Sequence, residues 1–110
     1  MPKDTFTVYW TEIAFHDLES IIDHIAIDSI DSALDIYQKI KNKSNTLITL
    51  PFRGRIVPEL EFHNILTYRE LIIAPWRIIY RIESNIVYVV SVFDGRRNIE
   101  DLLLSRLIND

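Results

Sequence analysis

The stretch LTYRELIIAPWRIIYRIESNIVYVVSVF, residues 66–93, holds three runs of β-branched and aromatic residues that short turns separate. Such runs are typical of strands, and we predict strands over 66–73, 76–82 and 86–93. Because only two or three residues connect them, neighbouring strands should pair antiparallel. Asn85 is the turn residue expected to take a left-handed conformation. The stretch therefore predicts an antiparallel meander of three strands.

The residues before the meander predict one more strand and a helical hairpin. In DTFTVYW, residues 4–10, apolar and polar side chains alternate, which indicates a strand with one buried face. Thr11 is a plausible N-cap for the helix that follows. Apolar residues at helical spacing then form two stripes, separated at IDSIDS, where Asp31 or Ser32 could cap the second helix. Pro51 is expected to end that helix.

A loop and a final helix complete the predicted fold. PFRGRIVPEL, residues 51–60, brackets a glycine with two prolines and is predicted to be a loop. Asn98 is a good N-cap for a leucine-rich last helix, which either completes the core or docks a partner through Leu103, Leu104 and Leu107. One sheet covered by the hairpin is the economical arrangement, so we expect an α+β fold in a single domain, residues 1–110.

The composition excludes several classes of site. The chain is 48% hydrophobic and 25% charged, as globular proteins are. It has no cysteine, which removes disulfides, thiolate nucleophiles and cysteine-based zinc sites. Neither a signal peptide nor a membrane span is apparent, and we expect a soluble cytoplasmic protein. No glycine-rich phosphate loop exists, and the histidines look like surface residues, so we expect no cofactor and no metal ion.

The charge is unevenly placed along the chain. The net charge is −4, every lysine precedes position 50, and every arginine follows it. Because the guanidinium fork suits phosphate and carboxylate, the second half is the better place for anion recognition. The alternative is a solvated sheet face with ordinary salt bridges.

The alternation of side chains places several arginines together. Residues two apart in a strand share a face, so Arg77, Ile79 and Arg81 should lie on the open face, opposite the helices. Other arginines of the second half could converge there from the neighbouring strand, the loop and the end of the last strand. The candidate residues for binding an anion or a target are Arg53, Arg55, Arg69, Arg77, Arg81, Arg96 and Arg97. Such a groove would suit a phosphodiester backbone or an acidic peptide.

Four segments in order carry a resemblance to a known family. They are WTEIAFHDLESIIDHI, GRIVPEL, YRELIIAPWRIIYRI and VSVFDGRRN, and they span almost the whole chain. They resemble the toxins of the RelE/ParE superfamily of type II toxin–antitoxin systems, often labelled plasmid-stabilisation proteins. The resemblance implies a small α+β fold whose open sheet face carries the site, and a cognate antitoxin that wraps the toxin.

That superfamily divides by target. RelE-like members cleave messenger RNA on the ribosome, whereas ParE-like members poison DNA gyrase. The Arg-Glu-Leu element at 69–71 and the apolar helix after the arginine pair look closer to the ParE branch. A growth-inhibiting, ParE-like toxin that binds a protein target is therefore expected, with gyrase as the family expectation. A ribosome-dependent endoribonuclease and a non-toxic member of the fold are the alternatives.

Cleavage would need a general base beside the cations. Among the arginines, the candidate catalytic residues of a nuclease are Arg69, Arg81, Arg96 and Arg97. The base is harder to find, since Asp94 stands where relatives often have a histidine and the C-terminal segment has no tyrosine or histidine. Tyr68, Tyr80 and Glu70 are possible substitutes. The sequence thus favours binding over cleavage.

Overall fold

The computed structural model describes residues 5–108. Over that range a five-stranded sheet has the strand order β1-β5-β4-β3-β2. The strands are β1 (Thr7–Trp10), β2 (Arg55–Ile56), β3 (Tyr68–Ile73), β4 (Trp76–Glu83) and β5 (Ile86–Asp94). The helices are α1 (Glu12–Asp28), α2 (Ile30–Asn45), α3 (Pro58–Glu61) and α4 (Glu100–Ile108), with a 3₁₀ turn at Thr46–Ile48.

The predicted meander and the α+β fold class are confirmed. Strands β3, β4 and β5 pair antiparallel in sequence order, and β1 pairs parallel with β5 at the edge of the sheet. Glu83 pairs with Ile86, so the turn between them has two residues. The left-handed residue is Ser84, with φ 56°, and not Asn85 as predicted. A positive φ at the first turn residue is the pattern of a type II′ hairpin turn.

The helical hairpin is confirmed, although its reversal differs from the prediction. Thr11 caps α1, since its Oγ1 accepts from the Ala14 amide at 3.2 Å. Ser29 is the residue between the two helices, and its Oγ accepts from the Ser32 amide at 3.1 Å. The expected cap at Asp31 or Ser32 is wrong because both residues already lie inside α2. Helix α2 ends in the 3₁₀ turn, ahead of Pro51.

Two boundaries of the second half were predicted wrongly. The expected loop at 51–60 contains β2, which pairs with β3, and the one-turn helix α3. A strand of two residues shows no periodicity, and Pro58 suits the first turn of a helix. Helix α4 begins after Ile99, whose carbonyl accepts from the Leu103 amide at 2.8 Å. Ile99 is therefore the N-cap residue, and the predicted cap, Asn98, lies one position before it.

The sheet separates two hydrophobic clusters. The hairpin covers one face, where Ala14, Leu18 and Ile40 pack against Ile78 and Tyr80. Helices α3 and α4 cover the centre of the other face. Among the helices of residues 5–108, none has both the length and the apolar character that crossing a bilayer requires.

Candidate functional site

Arg77, Ile79 and Arg81 were expected to lie on an open face of the sheet. The centre of that face is covered. Ile79 is completely buried there. It packs in a cluster with Phe93 of β5 and with residues of α3, α4 and their flanks, namely Val57, Leu60, Ile99 and Leu103. The prediction of an uncovered arginine face is wrong, because the leucine-rich helix α4 folds back onto it.

Two of the predicted arginines belong to a buried ion-pair network. Glu70 is completely buried, and its two carboxylate oxygens accept from Arg77 Nε and Arg55 Nε, each at 2.6 Å. Arg77 also donates from both terminal nitrogens to Glu59, at 2.7 Å each. These hydrogen bonds hold the pKa of Glu59 below its ordinary value and raise the pKa of Arg77. Two arginines thus face two glutamates, and Arg77 is not accessible to a ligand.

Arg96 and Arg97 lie at the far end of β5. Arg96 binds Asp94 through Nε at 3.0 Å and Nη2 at 2.7 Å, and these hydrogen bonds lower the pKa of Asp94 to about 2. Arg97 lines a cavity of about 340 Å³ between α1, β5 and α4 and makes no ion pair among the described residues. Arg81 pairs with Tyr88, roughly 20 Å along the strand from Asp94. The two ends do not form one groove.

Arg69 and Arg53 also lie apart from the arginine pair. Arg69 donates to the carbonyls of Gly54 at 2.7 Å and Phe52 at 3.4 Å, and its guanidinium lies 5.4 Å from the Phe52 ring. It therefore holds the segment before β2. Arg53 lines an open depression beside α2, with Lys39, Asn42 and Lys43. The expected convergence of all seven arginines is wrong.

A groove beside α4 does bring two guanidinium groups together. It has a volume of about 370 Å³ and lies between the start of α1, the sheet and the end of α4. We call it the Arg81–Arg106 groove, and its lining residues are Thr11, Ile13, Tyr68, Arg81, Val90, Arg106 and Leu107. It is the place where a predicted site residue, an unpredicted arginine and a tyrosine share one concave surface.

Both arginines of the groove already have carboxylate partners. Arg81 stacks on the Tyr88 ring at 4.3 Å and pairs with Glu83. Arg106 Nη1 donates to Asp17 of α1 at 2.8 Å, which ties α4 to the hairpin. One signal for Arg106 is its spacing: it follows Leu103 of the leucine-rich stretch by three residues and so lies on the same side of α4.

Of the possible general bases, all but Tyr68 are unsuited to proton transfer in this groove. Both carboxylate oxygens of Glu70 already accept hydrogen bonds from arginines. Tyr80 is completely buried, with its hydroxyl bonded to two backbone groups at 2.8 and 3.0 Å, and burial raises its pKa. His63 pairs with Glu100 at 2.7 Å and lies outside the lining. Tyr68 alone reaches the groove. Within residues 5–108, no three His, Asp or Glu side chains gather as metal ligands would.

The leucines predicted to dock a partner mainly complete the core. Leu103 is completely buried, so its expected docking role is wrong. Leu104 and Leu107 are half-buried against the same cluster. Leu107 also lines the Arg81–Arg106 groove, where it adds an apolar wall.

One family model matches most of the chain, and a solved structure shares its fold. The family described as "ParE toxin of type II toxin-antitoxin system, parDE" matches residues 8–99. A solved structure titled "Chromosomal ParDE TA system from P. aeruginosa" is similar in fold, with a TM-score of 0.70 at 20% sequence identity. The likeness covers 84% of this chain and 98% of that one. A search of curated proteins gives no significant match.

Proposed function

Because the chain belongs to the ParE toxin family of type II toxin–antitoxin systems, we propose that it inhibits cell growth by binding a protein target and is neutralised by a cognate antitoxin. DNA gyrase is the proposed target, as the family resemblance implies. The protein would act as one domain, in the cytoplasm. The observation that carries the choice of binding over cleavage is the pairing of the sheet-face arginines with carboxylates.

Ribonuclease chemistry needs cations that are free to meet a phosphate and the charge that develops on it. On this sheet face Arg55, Arg77 and Arg81 each have a carboxylate partner. A phosphodiester would have to displace those carboxylates, and one of them, Glu70, is completely buried. The pairing supports a surface that recognises a protein.

The Arg81–Arg106 groove has the composition of a protein-binding surface. Arginine and tyrosine are enriched among the residues that dominate interface energies. Here Arg81 lies over Tyr88, and Tyr9, about half exposed, packs edge-on against Tyr88 with ring centroids 5.8 Å apart. We propose that the target docks on this cation–aromatic surface and on the groove beside it. Participation of Arg69, Arg96 and Arg97 stays a prediction.

Controlled expression of the chain in cells tests the proposal. We expect growth arrest with induction of the DNA-damage response and intact transcripts, since poisoned gyrase breaks DNA. Cleaved messenger RNA with undisturbed replication would instead identify a ribosome-dependent endoribonuclease. Normal growth at confirmed soluble expression would identify a non-toxic member of the fold.

A pair of arginine variants tests the site. Arg81→Ala should reduce toxicity at least tenfold at equal protein level, because truncating a hot-spot arginine costs about 2 kcal/mol or more and about 1.4 kcal/mol corresponds to tenfold. Arg53→Ala, on the other side of the sheet, is the matched control and should leave toxicity within about twofold. Equal toxicity of the two folded variants would remove the groove from the proposal.

A further inference from the structure

A second pocket adjoins the Arg81–Arg106 groove at Arg81, which lines both depressions. It has a volume of about 210 Å³. Phe52, Leu66 and Arg69 line it together with residues of β4, and we call it the Phe52–Arg69 pocket. The surface proposed to meet the target therefore has a neighbouring depression with its own cation and its own apolar side chains.

Hydrogen bonds fix the segment that carries Phe52. The Tyr80 hydroxyl donates to the Pro51 carbonyl at 2.8 Å and accepts from the Gly54 amide at 3.0 Å. Arg69 Nη1 donates to the carbonyls of Gly54 at 2.7 Å and Phe52 at 3.4 Å. The Phe52 side chain is nevertheless 62% exposed. An exposed ring on a backbone that is already held in place loses little conformational entropy when a partner covers it.

Arg69 makes no ion pair with a carboxylate of residues 5–108. Both of its hydrogen bonds go to uncharged carbonyls, and both use Nη1, so Nε and Nη2 remain for an acceptor from outside. The carboxylate that follows it in the chain, Glu70, already accepts from Arg55 and Arg77. The pocket thus contains a guanidinium that is held in position and has unused donors, which suits a carboxylate or a phosphate.

The apolar rim of the pocket favours a carboxylate of a protein over a phosphodiester. Leu66 is 53% exposed, and an apolar side chain can pack on it and on Phe52. The Arg69 guanidinium lies over the Phe52 ring, 5.4 Å from its centroid, which reduces the ring surface on which a nucleotide base could stack. The net charge of −4 also disfavours a nucleic acid.

We infer that the Phe52–Arg69 pocket receives an aspartate or glutamate side chain of the target protein, flanked there by apolar residues. The carboxylate accepts from the unused donors of Arg69, and the flanking side chains pack on Phe52 and Leu66. The inference rests on the proposed function, since it extends the surface on which the target docks. It makes this pocket the part of that surface that selects an acidic segment.

Opposite charges placed at one position of the pocket are the first test. Arg69 also holds the backbone before β2, so the variants change Leu66. The probe is purified DNA gyrase, and surface plasmon resonance gives its dissociation constant. Leu66→Glu should weaken binding at least about 30-fold, because like charges brought together at an interface oppose binding. Leu66→Lys is the matched control and should lose less than about fivefold, since the lysine stem still covers apolar surface.

Removal of an aromatic side chain is the second test. Phe52→Ala should weaken binding of gyrase at least about tenfold, because aromatic anchors dominate interface energies. Phe62→Ala removes a ring that is 83% exposed at the end of α3 and should change affinity less than about twofold. Toxicity of the chain in cells, at equal levels of folded protein, should fall in the same order as the affinities.

Four results overturn the inference. Equal affinities of Leu66→Glu and Leu66→Lys refute an acidic ligand. Full toxicity of Leu66→Glu and Phe52→Ala, with loss of toxicity in Arg81→Ala, refutes the pocket while the proposed function stands. Binding of a duplex DNA or single-stranded RNA oligonucleotide that Leu66→Glu abolishes assigns the pocket to a phosphate backbone. A wild-type chain that does not arrest growth refutes the proposed function, and the inference with it.

The two readouts also separate the pocket from the identity of the target. If gyrase does not bind the wild-type chain although the chain arrests growth, gyrase is not the target. The toxicity of the same four variants then decides the pocket, since it reports engagement of whichever protein is bound.

Discussion

Replacement of Glu70 by alanine is expected to destabilise the protein by about 3 kcal/mol, since loss of one partner of a buried ion pair typically costs about 3–5 kcal/mol. Glu70 is completely buried and accepts from Arg77 and Arg55 at 2.6 Å each. The Arg77 side chain is only 9% exposed, so it cannot recover the lost bond from water. Its remaining bonds to Glu59 keep the estimate at the lower end of that range.

Urea unfolding gives the free energy of unfolding for the variant and the wild type. The matched control is Asp35→Ala, which breaks an ion pair whose side chains are 61% and 58% exposed and should change stability by less than about 0.5 kcal/mol. The double variant Glu70→Leu/Arg77→Met removes the buried pair but leaves the partly exposed Glu59 without its arginine, and it should still lie closer to the wild type than Glu70→Ala does. A Glu70→Ala loss no larger than that of Asp35→Ala would refute the buried network.

Three further changes test the same region and the hairpin. Acid should weaken the fold, because the pKa of Glu59 is lowered in the folded state from 4.5. The stabilisation is present above that value and is lost as pH falls through the lower folded pKa. The loss of stability between pH 6 and pH 3, measured by urea unfolding, should therefore be smaller in Glu59→Gln. Gly54→Ala should cost about 1–3 kcal/mol in the same assay, because its Cβ would lie 2.5 Å from the Glu70 carbonyl oxygen; wild-type stability would contradict the close approach. Ser29→Ala should cost about 1 kcal/mol by removing the N-cap of α2, and an unchanged midpoint would show that the cap contributes nothing.

The strands of the meander were predictable because their signal is local. Each run is long enough to show its composition, and short turns fix the antiparallel pairing. Alternation also placed Tyr80 correctly beneath the hairpin and Arg77 with Ile79 on the opposite face. Strand β2 was not predictable, since its two residues are strand only through pairing with β3.

The pairing of Arg77 with Glu59 and of Arg106 with Asp17 could not be read from the sequence, because these partners are distant in the chain. Arg77 and Glu59 are separated by 18 positions, and Arg106 and Asp17 by 89. Which sheet face stays open depends on where α4 packs, and the leucine pattern allowed either a buried or an exposed helix. The expectation of an open arginine groove was wrong for this reason: the periodicity of the strands assigns residues to a face but does not show whether α4 packs on that face.

The ion pairs redistribute the charge that the sequence shows. In the second half, Glu59, Glu70, Glu83 and Asp94 neutralise neighbouring arginines over short distances, so the sheet face has little net field. The acids of the hairpin are less well matched, because α1 has no lysine or arginine. Long-range attraction acts through net charge, whereas paired groups act only at contact. The chain therefore has two surfaces of different character: an acidic apolar hairpin, and a groove lined by arginine and tyrosine.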